Sequence, residues 1–444
     1  MDDQRSTHLD DTLGLGLGGY AWLPALRRRR GPATAVHTRL LGRRTVGLRG
    51  PDAVSFFYDE SHVRRRTAIP EPVQGTLFGH GAIHTLDGDR HRHRKAMFLS
   101  LLKDPRRVRD LVERVGQAWD EAVPSWAARE QVVLFDEAAR IITRGVCDWA
   151  AVPLDDAHVP EVAADLTSMV DGFATLGPRH WRARRARGRR ERWLSALIGK
   201  VRAGTVTPPA GSALGVVARY TEADGEPLDP KHAAVEMLNI IRPTVAVSWF
   251  VAYLGHALHR WPRHRSRLAS GDMAYAVAFA HELRRFYPFA PFVGGVAVKD
   301  LTWRGEHIPA GSMVLLDLYG QDHDADLWPR PYDFEPERFL GREPDPDELV
   351  PQGGGDPRTG HRCPGEDVTV ALLATLAIRM ARLDYDVPEQ DLTISLRRIP
   401  ALSRSRFVLR LVSPADDDDV IPPDRFAARS GGKSWLSPLE VKES

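Results

Sequence analysis

Apolar residues recur at three- and four-residue spacing along most of the chain, which predicts a mainly helical protein. From Asp104 to Trp149 the face carrying Leu111, Val115, Ala118 and Trp119 predicts continuous helix. The longest run opens at Asp229-Pro230, an N-cap residue followed by proline at the first helical position. It continues to about Arg260, and Pro262 stops it. At about 1.5 Å per residue such a helix spans roughly 45 Å, enough to cross a whole domain. Glu366 to Leu383 reads as an apolar helix rich in small residues. Alternation predicts a strand in Thr38–Leu48, and Gly50-Pro51 then turns into a helix near Ala53–Tyr58. Val293–Ala297 and Met313–Leu318 read as short strands. Thr393–Leu396 and Phe407–Leu411 suggest a closing hairpin, and Gly204–Gly225 reads as loop. No fixed repeat and no Gly/Ser linker divides the chain. The expectation is one large helical domain with a small β region over residues 13–412. Residues 1–12 and 413–444 read as disordered.

Polar stretches add detail. Phe78–Gly88 is a glycine-punctuated loop that leads into the basic helix Asp89–Phe98, where His91, Arg94 and Lys95 fall within about one turn. Arg182–Arg192 holds seven arginines in eleven residues. It lacks an aromatic or glycine pattern for base contact, so it reads as a solvated helix face that Trp181 and Trp193 anchor, not a nucleic-acid site. Cys147 beside Trp149 reads as a buried structural thiol. The 61 basic and 59 acidic residues leave a net charge of +2, which argues against a polyanion partner. Two cysteines exclude a disulfide framework and fit a reducing, cytoplasmic setting. The N-terminus is acidic and polar, unlike a signal peptide. The apolar patch Leu13–Leu26 is shorter than the ~20 residues of a membrane span, so none is expected. Gly431-Gly432-Lys433-Ser434 lacks the upstream glycine and strand of a phosphate-binding loop.

Three features carry candidate chemistry. Gly353-Gly354-Gly355-Asp356-Pro357-Arg358-Thr359-Gly360-His361-Arg362-Cys363-Pro364-Gly365 places a cysteine on a tight loop just before a helix N-terminus. There N–H groups and the helix dipole favour a thiolate, and glycines let a large flat ligand approach. Glu282-Leu283-Arg284-Arg285 puts Glu282 and Arg285 on one helix face. Pro336-Glu337-Arg338-Phe339 follows. Between Met237 and Leu258 the only formal charge is Arg242. Pro243 beside it removes a backbone donor and frees the Asn239 carbonyl. A buried lone arginine costs several kcal/mol, on the order of 3–5 when its partner is missing. Two breaches of helix rules in two residues mark function.

Taken in chain order, Glu282-Leu283-Arg284-Arg285, Pro336-Glu337-Arg338-Phe339 and the Cys363 loop resemble the cytochrome P450 (haem-thiolate) superfamily, over roughly residues 10–412. The resemblance implies the P450 fold and haem b, with Cys363 as its thiolate ligand and Glu282, Arg285 and Arg338 as a buried structural network behind it. It implies propionate contacts from among His91, Arg94 and Lys95, and a cofactor role for His361, which stands where the family usually has arginine. The usual phenylalanine before the loop is absent. Arg242-Pro243 stands where most of the superfamily has an acid–alcohol pair, and Thr244 comes one residue late.

Those departures, together with Tyr287-Pro288-Phe289, resemble the bacterial fatty-acid peroxygenase branch. That implies long-chain fatty acids as substrates, hydrogen peroxide as oxidant and no obligatory reductase. Arg242 would bind the substrate carboxylate, which then serves as acid and base. Phe78, Val170, Phe289 and Phe292 are candidates for the apolar channel. His84, where hydroxylating members often have glutamine, is a candidate proton donor, and points to mixed hydroxylation and decarboxylation near the carboxyl end. The alternatives are a conventional NAD(P)H- and redox-partner-dependent monooxygenase, which Arg242-Pro243 argues against, and a non-enzymatic haem sensor.

Overall fold

The structure is a computed structural model and describes residues 10–30, 35–173 and 175–412. Residues 1–9 and 413–444, read as disordered, lie outside the described residues. Asp10 to Thr12, grouped with that N-terminal segment, are built into the fold. Asp10 bridges Arg39, and the Asp11 carboxylate accepts the Trp22 indole N–H at 2.6 Å.

The long helices are α1 (Gly88–Leu102), α2 (Pro105–Ala122), α3 (Leu134–Ala150), α4 (Val159–Asp171), α5 (Pro178–Arg202), α6 (Pro230–Val245), α7 (Val247–Arg260), α8 (Met273–Phe286) and α9 (Glu366–Arg382). Helix α6 begins as its cap predicts: the Asp229 carboxylate accepts the Lys231 N–H at 2.9 Å, with Pro230 in the first turn. Together α6 and α7 make the long helix expected from Pro230 to Arg260, interrupted at Ala246. This segment is apolar and long enough to cross a membrane, but 94% of its apolar window is buried inside the protein. Helices α2 and α3 are not continuous. A 3-10 turn (Val123–Trp126) and a two-residue strand (Val132–Val133) separate them, because Pro124 and the polar residues up to Gln131 break the helical period. A short helix, Ala213–Ala218, capped by Ser212, occupies part of the stretch read as loop.

Helices α3 to α9 share one core, with Ile142, Leu166, Leu194, Leu238, Leu254, Phe279 and Leu373 in it. Each such side chain contributes about 1.5–3 kcal/mol on burial. Gly145 sets the α2–α3 crossing: a Cβ there would lie 2.9 Å from the Val115 Cα.

The small sheet has five strands: β1 (Ala35–Leu40), β2 (Arg43–Leu48), β3 (Val63–Arg64), β4 (Phe292–Ala297) and β5 (Met313–Asp317), in the order β1-β2-β5-β4-β3. The stretch read as one strand is thus a hairpin, turning at Leu41-Gly42 with φ of 50° and 76°. The expected C-terminal hairpin does not form. Val408–Leu411 pairs with Val132–Val133 and with Tyr385–Asp386, and Ile394 makes a single bridge to Ser403. The buried Phe407 ring packs where a Cβ on Gly255 of α7 would stand, which draws this strand onto the helical body.

The arginine-rich helix α5 is only partly a solvated face. Arg182, Arg185 and Arg192 are exposed, but Arg189 and Arg190 pair with Asp165, and Arg184 pairs with Glu71. Arg187 is buried and donates to the carbonyls of Leu77 (2.6 Å) and Phe78 (2.9 Å). Trp193 packs on the main core as expected. Trp181 does not: it is 57% exposed, because its position in the first turn faces away from α4.

Candidate active site

Cys363 lies just before α9, as its loop predicts. Its N–H donates to the Gln352 carbonyl at 3.2 Å. The glycines serve packing more than ligand approach. Gly353 and Gly355 hold φ of 90° and 74°. A Cβ on Gly353 would meet the Tyr58 hydroxyl at 2.5 Å, and one on Gly354 would meet Val54 at 2.2 Å. The loop is thus clamped on the helix Pro51–Tyr58. Lys95 of α1 reaches under it, donating to the carbonyls of Gly360 (3.0 Å) and Arg362 (2.6 Å). Burial raises the Cys363 thiol above its ordinary range, against the lowering pull of the Gly365 N–H and of Lys95. The helix N-terminus alone does not make a thiolate here. A bound metal deprotonates a coordinating thiol outright.

Behind the loop the expected network forms. Arg285 donates to both Glu282 oxygens, Nε at 2.8 Å and Nη2 at 2.7 Å, with both side chains fully buried. Arg338 Nε lies 3.5 Å from Glu282 and its Nη2 is 3.0 Å from Glu335. A second network escaped the motif reading. Glu366, the first residue of α9, pairs with Arg284 of α8 and with Arg362 of the loop, the latter at 2.6 and 3.1 Å. Burial pushes the Glu366 carboxyl up, but Arg284 and Arg362 outweigh it and hold it at about 2. The signal was available: an acid in the first turn of the helix that follows a basic loop.

Above the loop stands α6. Arg242 is 5% exposed and its Nη2 donates to the Asn239 side chain at 3.2 Å. Its guanidinium carbon lies 5.9 Å from the Phe78 ring centroid. Burial and then Arg187 pull Arg242 down to about 9, which leaves it cationic at neutral pH, and it has no carboxylate partner among the described residues. Thr244 turns back on its own helix, donating to the Ile240 carbonyl at 2.9 Å. His84 packs on Phe78 with centroids 4.2 Å apart and the rings tilted by 34°. Burial first, then Arg242, hold its imidazole well below 6.5.

Glu236 and Asn239 were missed, although residues 236, 239 and 242 share a helix face at i, i+3 spacing. Delimiting the apolar run at Met237 hid Glu236. It is fully buried and accepts from Ile83 N–H (2.8 Å), Asn239 Nδ2 (3.1 Å) and Arg94 Nη1 (3.0 Å). Arg94, with Glu222 and the Gly81 carbonyl, completes an internal cluster.

His91 and His361 do come together, with rings stacked 3.9 Å apart. His361 Nε2 lies 3.6 Å from the Asp87 carboxylate, and Arg65 Nη1 donates to the Gly294 carbonyl at 2.6 Å. His84 is within electrostatic reach of Arg242, His361, Lys95 and His91, and Cys363 is within reach of Lys95 and Arg242, so these residues gather in one region. Four buried nitrogens there, His84 Nδ1, His91 Nδ1, His361 Nε2 and Arg242 Nε, have no hydrogen-bond partner among the described residues. A thiol on one side, stacked imidazoles and a basic rim suit a porphyrin that carries carboxylates. Of the channel candidates, Val170 is buried in the main core and Phe78 and Phe289 pack against it. Phe292 does not join them. As the first residue of β4 it packs on Trp22, 6.1 Å between centroids, in a satellite cluster.

These features define a haem-thiolate protein, and the comparisons agree. A family model of cytochrome P450 matches residues 263–392. Solved structures of P450SP alpha (CYP152B1) are 40% identical, with a TM-score of 0.87, over 90% of this chain and 98% of theirs. Ligand-free P450 OleT is 35% identical, with a TM-score of 0.88, over 92% of this chain and 99% of its own. Among curated relatives, cytochrome P450 137 of Mycobacterium tuberculosis is 26% identical over 241 residues; the chain spans about half (50%) of its length. The chain belongs to the cytochrome P450 family, in the bacterial branch of fatty-acid peroxygenases and decarboxylases, and its cofactor is protoporphyrin IX haem.

Proposed function

We propose that this chain oxidises long-chain fatty acids at Cα or Cβ with hydrogen peroxide, with Cys363 as the haem ligand and Arg242 as the carboxylate anchor. The observation that carries this is a cationic guanidinium buried in an apolar helix with no carboxylate beside it among the described residues. A buried unpaired charge is costly, so the counter-charge comes with the ligand. The solved relatives accord with a carboxylic acid: P450SP alpha was captured with (R)-ibuprophen, and an OleT variant with arachidonic acid.

Cys363 would hold the haem, which would supply the iron chemistry that cleaves peroxide and oxidises the substrate. The chain supplies placement. Arg242 presents a fork to the two carboxylate oxygens, and Asn239 fixes the orientation of that fork. A carboxylate held there can take the proton from the near oxygen of hydrogen peroxide and return it to the far one, the work that an acid–alcohol pair does elsewhere. Clamping the carboxyl end directs oxidation to Cα or Cβ. Phe78, Phe289 and Val170 exclude water from the rest of the substrate. Hydroxylation retains the carboxyl group, and decarboxylation releases carbon dioxide and a terminal alkene.

The test is turnover of a saturated long-chain fatty acid by haem-loaded protein with peroxide alone, read by gas chromatography–mass spectrometry. Hydroxy acid or terminal alkene is the expected outcome. Product only with NADPH and a surrogate reductase would instead assign the conventional cycle.

A further inference from the structure

Gln352 precedes the glycine run, and its side chain turns back beneath the Cys loop. Its Nε2 lies 3.6 Å from Cys363 Sγ and 3.2 Å from Thr369 Oγ1. An amide's two ends are told apart by their partners. Arg284 Nε, which can only donate, lies 3.0 Å from Gln352 Oε1. Arg284 cannot yield, because Glu366 holds it, and Arg362 in turn holds Glu366. The carbonyl end of Gln352 therefore faces Arg284 and the N–H end faces the sulfur.

We propose that Gln352 is a positioning residue for the thiolate: its side-chain N–H···S bond, oriented by the Arg284–Glu366–Arg362 network, limits how much electron density Cys363 gives to the haem iron. This rests on the assignment of Cys363 as the haem ligand. A hydrogen bond to an anionic acceptor is stronger than one to a neutral atom, and donors at a ligating sulfur shift a haem potential. The Gly365 N–H is also directed at this sulfur, but it belongs to the main chain. Gln352 is the donor that a side chain supplies, and the ion network makes its direction single-valued. Because the network joins α8, the loop and α9, the bond is preset by the fold before any ligand arrives.

The experiment compares haem-loaded wild type with Gln352→Leu and Gln352→Glu. Glutamate keeps an oxygen for Arg284 but has no N–H for the sulfur, so it separates a lost donor from a disturbed network, and it stands in should the leucine variant fail to fold. A red-shifted Soret band of the ferrous–CO form reports thiolate ligation. Resonance Raman reports the Fe–S stretch, and a redox titration reports the Fe(III)/Fe(II) potential. The expected result is a thiolate-type Soret band in all three proteins. In both variants the Fe–S stretch moves up and the potential moves to more negative values. An unchanged stretch and potential in the glutamate variant, with the thiolate band intact, overturns the role of Gln352 and leaves Cys363 as ligand. A wild-type protein without the thiolate band overturns both.

Discussion

Arg242 carries most of the functional argument, and its energetics can be tested directly. The guanidinium is buried, has one hydrogen bond to Asn239, and keeps its Nε without a partner. Truncating one side of a buried charge pair costs about 2–5 kcal/mol, roughly 30-fold to several-thousand-fold in affinity. Arg242→Ala should therefore weaken fatty-acid binding by at least about 30-fold, measured by spectral titration, and turnover should fall with it. Undiminished affinity would move the carboxylate elsewhere. His84 makes the opposite kind of prediction. Its imidazole is held well below 6.5, so no proton is gained or lost near neutrality. The ratio of alkene to hydroxy acid should stay flat as pH crosses the ordinary imidazole range. His84→Gln should still alter that ratio, because the ring packs on Phe78 beside Arg242. A ratio that titrates in the wild type and not in the variant would instead assign the titration to His84.

Among the elements, the α2–α3 crossing depends on a missing side chain. A Cβ on Gly145 would press on the Val115 main chain at 2.9 and 3.0 Å, and backbone cannot swing aside as a flexible side chain can. Gly145→Ala should destabilise the protein by about 1–3 kcal/mol through overpacking, read as a lower midpoint in urea. Equal midpoints would mean that the two helices part without cost. Helix α6 shows a different economy of placement. Glu236, Asn239 and Arg242 lie at successive i, i+3 positions, so one polar stripe runs from the Arg94 cluster to Arg242. That stripe explains why an otherwise apolar helix carries charge at all. The glycine-rich loop is likewise explained by its neighbours. Gly353 and Gly354 abut Tyr58 and Val54, so the loop's shape comes from the helix Pro51–Tyr58 beneath it.

At the scale of the whole molecule, the Arg284–Glu366–Arg362 cluster ties α8, the Cys loop and α9 together. The folded pKa of Glu366 is depressed from 4.5 to about 2. Its stabilising contribution is therefore fully present above about 4.5 and is lost as pH falls toward about 2. The difference is on the order of 3 kcal/mol. Acid titration of stability should show this loss, and Glu366→Gln should flatten that part of the curve. A variant with the wild-type acid profile would place the acid-labile carboxylate elsewhere. Helical content, the Cys loop before α9, the Glu282–Arg285 pair and the anomalous Arg242-Pro243 were all legible along the chain. Each is a local signal: a 3.6-residue period, a cap, an i, i+3 pair, or a charge out of place. Four things were not legible. Arg94 turns to Glu222 and Glu236. Phe292 packs on Trp22. The last strand pairs with Val132–Val133. Gln352 faces the sulfur because Arg284 fixes its amide. Each depends on a partner far away in sequence, and a polar or aromatic side chain takes its role from whichever group the packed core brings within reach. Local periodicity and spacing thus determined which elements form and where the unusual residues fall; only the tertiary contacts decided which of those residues gather near Cys363 and Arg242 and which hold the fold around them.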